Sequence, residues 1–232
     1  NFSQAYRERV FAGFLAEYRA GRTPNPDVLC NREIKFGACL EHARRLGARY
    51  MATGHYARIN STPPARLLRG LDGNKDQSYF LHAVPSAALG QALFPVGELH
   101  KNQVRELATT AGLPVHAKRD STGICFIGER PFREFLQQYL SAPAGDMETP
   151  AGEVVARHEG LMYYTRGQRQ GLGIGGRAAH GDEAWYVAGK DTARNVLLVV
   201  QGRDDPALWD QELGTEAPCW VTGEPAELAP GK

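Results

Sequence analysis

Cysteine is scarce here, and what there is lies too far apart for two of its common uses. Cys30, Cys39, Cys125 and Cys219 form no CxxC pair and no CxxC/HxxxH pattern in the 232 residues, which excludes a zinc-finger or zinc-ribbon site. So few cysteines in a chain of this length do not make a secreted disulfide scaffold. A cytoplasmic protein with one or two working thiols fits better. An apolar run of about 18 residues is also missing, so no membrane span is expected. The opening residues, Asn1 to Phe14, read as an amphipathic helix rather than a basic and apolar leader, and no signal peptide is expected. Charge of one sign is lacking too: 27 Lys and Arg against 26 Asp and Glu leave a formal net charge of +1. That argues against a dedicated basic arm for nucleic acid, while permitting a local basic face. There is no internal repeat and no low-complexity segment.

The local patterns come next. Tyr6, Val10, Phe11, Phe14, Leu15 and Tyr18 fall at helical spacing over residues 4 to 20, with Gly21 as a stop. "RTPNPD" then reads as a rigid loop, because Pro24 and Pro26 fix their own backbone and push Thr23 and Asn25 toward extended shapes. A second helix is expected to begin between Asp27 and Asn31 and to end at Gly47, with Phe36, Leu40, Ala43 and Leu46 inward. Tyr50 to Thr53 suit a short buried strand, broken by Gly54 at its carboxyl end. Helix, strand and glycine turn suggest an α/β unit, whose ligands gather at strand carboxyl ends. "RINSTPPARLLRGLD" predicts a hairpin with a proline-rich tip, and "KDQSYFLHAV" and "KNQVRELATTAGL" predict two further helices. "KRDSTGICFIGERP" reads as a glycine-punctuated loop or edge strand, and Pro131 as the opening of a helix. Beyond residues 141 to 150 the texture becomes glycine-rich, and "EVVARHEG", "LMYYT", "EAWYVAGK" and "NVLLVVQG" predict short strands.

Several residues carry chemistry worth weighing. A lone cysteine is usually a small buried apolar residue. Cys30, however, follows a rigid loop and lies at or near a predicted helix N-terminus, where the dipole favours thiolate. Asp27 is one turn away and could handle a proton. Cys125 is flanked by Gly123 and Gly128, which leave its backbone approachable. Two such thiols could pass sulfur or close a disulfide if the chain brings them together. Cys39 and Cys219 lack comparable surroundings and are read as structural. His55 follows Gly54 at a strand end; a lone histidine is usually a satisfied core or surface residue, and the location alone makes it a candidate. Lys75, Asp76 and Gln77 suit either a solvated helix start or a polar clamp on phosphate or sugar, and spacing does not choose. "RGQRQGLGIGG" lacks the strand and helix that a dinucleotide fingerprint requires. With Arg166, Arg169 and Arg177 it reads as a basic loop or hairpin touching phosphates, or as a plain flexible loop.

Taken together, "GRTPNPDVLCNREIKF", "ATGHYARI", "RGLDGNKDQSYFL", "FPVGEL", "DSTGICFIGERPFREFL" and "LMYYTRGQRQGLGIGG" resemble the bacterial tRNA-specific 2-thiouridylase family, in order and over nearly the whole chain. The resemblance implies an α/β fold: part of an ATP-pyrophosphatase-type domain over residues 1–140, a small β-rich tRNA-binding domain over 141–205, and the start of a β-barrel over 206–232. It implies ATP-dependent 2-thiolation of the tRNA wobble uridine, with Mg²⁺ on the ATP phosphates and a persulfide donor protein as partner. By the same resemblance Cys30 is the nucleophile and Cys125 carries the persulfide. Asn25, Pro26 and Asp27 meet the target base. Gly54 lies by the adenosine, and His55, Lys75, Asp76 and Gln77 contact tRNA. A base must be splayed out of its stack to be reached, which gives the rigid loop before Cys30 a purpose.

The chain departs from the family in lacking a Ser-Gly-Gly-x-Asp-Ser-type phosphate loop. It is expected to begin after that loop and to be cut short in the barrel, hence to lack activity by itself. A non-catalytic tRNA-binding or sulfur-relay module is the alternative. A 4-thiouridine synthase or an amidotransferase of the ATP-pyrophosphatase group is disfavoured by the "TPNPDVLCN" and "STGICFIGER" pair.

Overall fold

The computed structural model describes residues 1–60, 62–117, 132–175, 183–215 and 218–222. Cys125 and the glycine-punctuated stretch around it fall outside the described residues. The chain forms two compact units, one of Asn1–Ala12, Asn25–Phe126 and Ala217–Lys232, the other of Gly13–Pro24 and Ile127–Glu216.

The first unit is α/β. The helix expected over residues 4 to 20 is realised as successive segments Ser3–Tyr6, Arg7–Phe11 and Ala12–Arg19; the part from Gly13 on, with Gly21 in the left-handed region at φ 77°, is counted to the second unit. The second helix starts earlier than expected, at Pro26, and passes through Pro26–Leu29, Cys30–Cys39 and Leu40–Arg45. Over Cys30–Cys39 the turns are wide, with hydrogen bonds running from i to i+5. Strand β1 (Met51–Ala52) pairs in parallel with β4 (Ala92–Leu93), in register Met51 to Ala92. Between them, β2 (Ala57–Asn60) and β3 (Arg66–Arg69) make the expected antiparallel hairpin, whose tip holds the cis Pro63–Pro64 bond. Phe36, Ala57, Leu81, Val84, Leu89 and Ala92 form the core beneath.

The predicted helix over "KDQSYFLHAV" does not form; only a single tight turn, Ser78–Leu81, is helical. Its polar start is engaged elsewhere, as Asp76 and Gln77 bind the backbone of the neighbouring hairpin. The helix over "KNQVRELATT" forms as Lys101–Thr110. Its first amide, on Lys101, donates to Asp72 Oδ2 at 3.0 Å, so a distant carboxylate adds to the local bond from the His100 amide to Gln103 Oε1 at 2.8 Å.

The second unit is built on a four-stranded sheet. Strands β5 (Gly145–Glu148), β6 (Val154–His158), β7 (Trp185–Asp191) and β8 (Val196–Gln201) are ordered β6-β5-β8-β7, with β5 and β8 parallel and the other pairs antiparallel. The apolar run of β8 fits its central place, since Val196, Leu197, Val199 and Val200 are all buried. The expected strand over "LMYYT" is instead a tight turn, Leu161–Tyr163, entered through Gly160 at φ 138°. Met147, Tyr164, Trp185, Val187 and Leu197 belong to the core here. His158 is buried beside it, its Nε2 donating to the Asn195 carbonyl and its Nδ1 accepting from the Gly160 amide, both at 3.0 Å.

The glycine of "FPVGEL" has a steric reason. A Cβ on Gly97 would overlap the Ala57 carbonyl, a backbone group that cannot turn aside. Gly97→Ala is therefore expected to lower unfolding stability by about 1–3 kcal/mol, read as a reduced urea midpoint. An unchanged midpoint would contradict the packing of this loop on β2.

Candidate functional site

Asn25 begins the site. It sits in extended backbone at φ −106°, ψ 97°, and its Oδ1 accepts the Asp27 amide at 3.1 Å. Pro26 occupies the first helical position, where its missing N–H costs nothing. Asp27 stands in the first turn, where the helix dipole favours a carboxylate. Cys30, half-buried, follows a full turn later. Because the helix starts at Pro26 rather than nearer the cysteine, the dipole acts more strongly on Asp27 than on Cys30. Three residues of spacing put Asp27 and Cys30 on one helix face.

Two contacts fix this helix against the other motif stretches. Asn31, only 3% exposed, donates from Nδ2 to the Phe80 carbonyl at 2.9 Å. That bond ties the residue after Cys30 to the Ser78–Leu81 turn. Farther along, Lys35 Nζ lies 3.4 Å from His55 Nε2. An ammonium only donates, so Nε2 must accept. The neutral ring then carries its proton on Nδ1 and donates it to Thr53 Oγ1 at 2.8 Å. Phe36 and Phe94 flank the imidazole, each with its ring centroid 6.0 Å away. Burial, and then the Lys35 charge, push the His55 pKa down to about 4.

The third stretch is tied in by Gln77. Its amide N–H donates to the Tyr56 carbonyl at 2.9 Å, and its side-chain Oε1 accepts the Tyr56 N–H at 3.0 Å. Asp76 Oδ1 accepts from the Gly70 amide at 2.8 Å, and Oδ2 from the Ser78 hydroxyl at 2.8 Å. Burial pushes the Asp76 carboxyl up, but those bonds and the Arg69 charge outweigh it and hold it below its ordinary value. The Lys75 amide donates to the Asp72 carbonyl at 3.0 Å. Gly54, exposed past the end of β1, has no atom within 4 Å of where a Cβ would stand.

The "TPNPDVLCN", "ATGHY" and "NKDQSYF" stretches are thus joined by direct bonds. The described residues do not include Cys125, so its expected meeting with Cys30 remains a proposal. Three supporting residues escaped the sequence reading: Asn31, Lys35 and Asp72. No local pattern marks the first two, whose partners lie 49 and 20 residues along the chain. A groove of about 870 Å³ lies elsewhere in this unit, lined by Arg58, Pro63, Pro64, Ser86 and Leu93 among others, and none of the expected site residues reaches it. Among the described residues no three His, Cys, Asp or Glu side chains gather as a metal site, and none of the described helices is long and apolar enough to cross a membrane.

The sequence that builds this site matches a known class. Residues 1–129 match the tRNA methyl transferase HUP domain, a nucleotide-binding α/β domain, and residues 133–201 the tRNA methyl transferase PRC-barrel domain. The chain belongs to that family, as the motif resemblance implied. Among its relatives is the tRNA-specific 2-thiouridylase MnmA of Chromohalobacter salexigens, 60% identical over 226 residues that make 97% of this chain and 59% of the relative. Proteins of the same name from Alcanivorax borkumensis (57% over 228 residues, 98% of this chain and 63% of the relative) and Marinobacter nauticus (58% over 229 residues, 97% and 58%) are similar. The chain therefore spans about three fifths of the length of these relatives.

Two outcomes follow from the geometry. Asn31→Leu leaves the Phe80 carbonyl without its partner and is expected to lower stability by about 1–3 kcal/mol in a urea titration; no loss would contradict the tie. The His55 pKa is lowered on folding, so the unfolded chain takes up its proton first as pH falls. The His55 contribution to stability is complete above about pH 6.5 and declines toward pH 4, by at most about 1.4 kcal/mol per pH unit. Wild type should lose stability more steeply than His55→Gln across that window; equal slopes would contradict the buried neutral ring.

Proposed function

We propose that the protein of which this chain is part exchanges the C2 oxygen of the tRNA wobble uridine for sulfur, at the expense of ATP. The observation that carries this reading is the Asn25-capped turn bearing Asp27 and Cys30, bonded through Asn31 and Lys35 to the Phe80 and His55 stretches. The identity to tRNA-specific 2-thiouridylases supports it. A rigid cap suits chemistry that requires catalytic groups to be placed within fractions of an ångström.

The C2 carbonyl oxygen of uridine is a poor leaving group. Transfer of an adenylyl group from ATP, releasing pyrophosphate, makes it part of AMP. The terminal sulfur of a Cys125 persulfide then attacks C2 and expels AMP. Cys30 thiolate attacks the Cys125 sulfur, forming a Cys30–Cys125 disulfide and releasing the 2-thiouridine. The alternative order has Cys30 attack the persulfide first and liberate sulfide, which adds to C2. Both routes reduce one sulfane sulfur and oxidise two thiols, so reductant must reopen the disulfide. Asp27 takes and returns the proton. Mg²⁺ would accompany the ATP phosphates and offset their charge.

Asn25 and Pro26 hold the extruded base, and Gly54 leaves room for the adenosine. Within the "NKDQ" stretch, Asp76 holds the loop's shape. Lys75 and Gln77 face the RNA: the Gln77 amide NH₂ has no partner among the described residues. His55 supports the same surface from beneath. The domain limits at residues 140 and 205, a persulfide donor protein and a cytoplasmic location belong to this reading. The family description favours a second reading, methyl transfer to tRNA.

One assay separates them. The full-length protein, given ATP, a persulfide source and unmodified tRNA, is expected to yield 2-thiouridine by nucleoside mass spectrometry. Cys30→Ser and Cys125→Ser should each reduce the yield by at least a hundredfold, from about 3 kcal/mol or more of lost transition-state stabilisation. A methylated nucleoside, or normal yield from either variant, would contradict the assignment.

A further inference from the structure

Lys35 sits in an unusual setting. Its ammonium meets a neutral imidazole instead of a carboxylate. No ion pair to an acidic side chain is made by Lys35 among the described residues. The nearby Arg32 charge is already answered by Glu33 at 2.7 Å. His55 accepts from Lys35 through Nε2 but cannot offset its charge, because the ring is neutral.

The backbone beside it is also unanswered. The Thr53 amide donates to the Leu93 carbonyl at 2.9 Å and the Tyr56 amide to Gln77. Between them, the N–H groups of Gly54 and His55 make no hydrogen bond among the described residues. They lie just beyond the carboxyl end of β1, where Gly54 leaves the space of a side chain open. Lys35 touches the ring of His55, and the amides of His55 and of Gly54 before it have no acceptor among the described residues; an ammonium and successive backbone N–H groups are donors of the kind that phosphate oxygens take.

We propose that Lys35, with the backbone N–H groups of Gly54 and His55, binds a phosphate group of the substrate. The inference rests on reading this site as one that handles nucleotide and RNA, and it deepens that reading by naming the cation. Two sources share the chemistry: a phosphodiester of the tRNA beside the extruded base, and a phosphate of ATP.

The test uses the full-length protein and reads binding without turnover, so its failure is distinct from a failure of thiolation. Dissociation constants for tRNA and for ATP are measured separately across a salt series. Lys35→Gln is expected to weaken binding about tenfold or more, as for a lost charge-assisted bond, and Lys35→Arg to restore most of it. A loss confined to tRNA, with the log–log salt slope smaller by about one, assigns the phosphodiester. A loss confined to ATP assigns the nucleotide, and a loss of both a shared phosphate. Affinities for both within twofold of wild type would overturn the proposal. A purely structural lysine would shift the unfolding midpoint and leave the salt slope alone. Should Lys35→Gln not fold, acetylation of the wild-type protein decides: saturating tRNA or ATP should shield Lys35 several-fold relative to other lysines. Equal labelling with and without either ligand would also overturn it.

Discussion

The hydrogen bond from Asn31 to the Phe80 carbonyl is the constraint on which the site depends. Asn31 follows Cys30 directly and is buried, so a misplaced helix would leave its amide unsatisfied inside the unit. The bond sets both the rotation of that helix and its distance from the turn carrying Gln77. Gln77 in turn holds Tyr56, next to His55, through its side chain and its backbone. The three stretches form one framework, closed on the far side by Lys35 and His55.

Two kinds of polar residue share this framework. Asp72, Asp76 and the side-chain oxygen of Gln77 are spent on backbone amides: Lys101 and Asn74, Gly70 and Ser78, and Tyr56. They replace the hydrogen bonds that regular secondary structure would have supplied. Asp27 and Lys35 belong to the other kind, charged side chains carried by the helix that starts at Pro26. The wide turns over Cys30–Cys39 suit this division. Gly37 allows them, since a Cβ there would stand 2.8 Å from the Arg32 carbonyl oxygen.

Much of this was legible in the residues. The apolar spacing around Phe36 and Leu40 revealed the long helix, "TPPA" the hairpin tip, and the motif order the family and its α/β character. Asn25 and Pro26 signalled a helix start one residue earlier than expected, obscured because a proline-rich stretch also reads as loop. The helix expected over "KDQSYFLHAV" failed for a tertiary reason: Asp76 and Gln77 are better satisfied by the hairpin than by their own chain. Strands β4 and β5 escaped notice because one is two residues long and the other carries Gly, Asp and Glu. The roles of Asn31 and Lys35 depend on partners far along the chain, which no local pattern encodes.

Whether the thiol on this framework works with a second one is the central chemical claim. Peptide mapping under non-reducing conditions, after one turnover of the full-length protein with tRNA, ATP and a persulfide load, tests it most directly. The account predicts a disulfide joining the Cys30 and Cys125 peptides, formed in proportion to 2-thiouridine. Sulfur appearing in the tRNA while both cysteines stay unlinked, with no reductant present to reopen a bond, would contradict it.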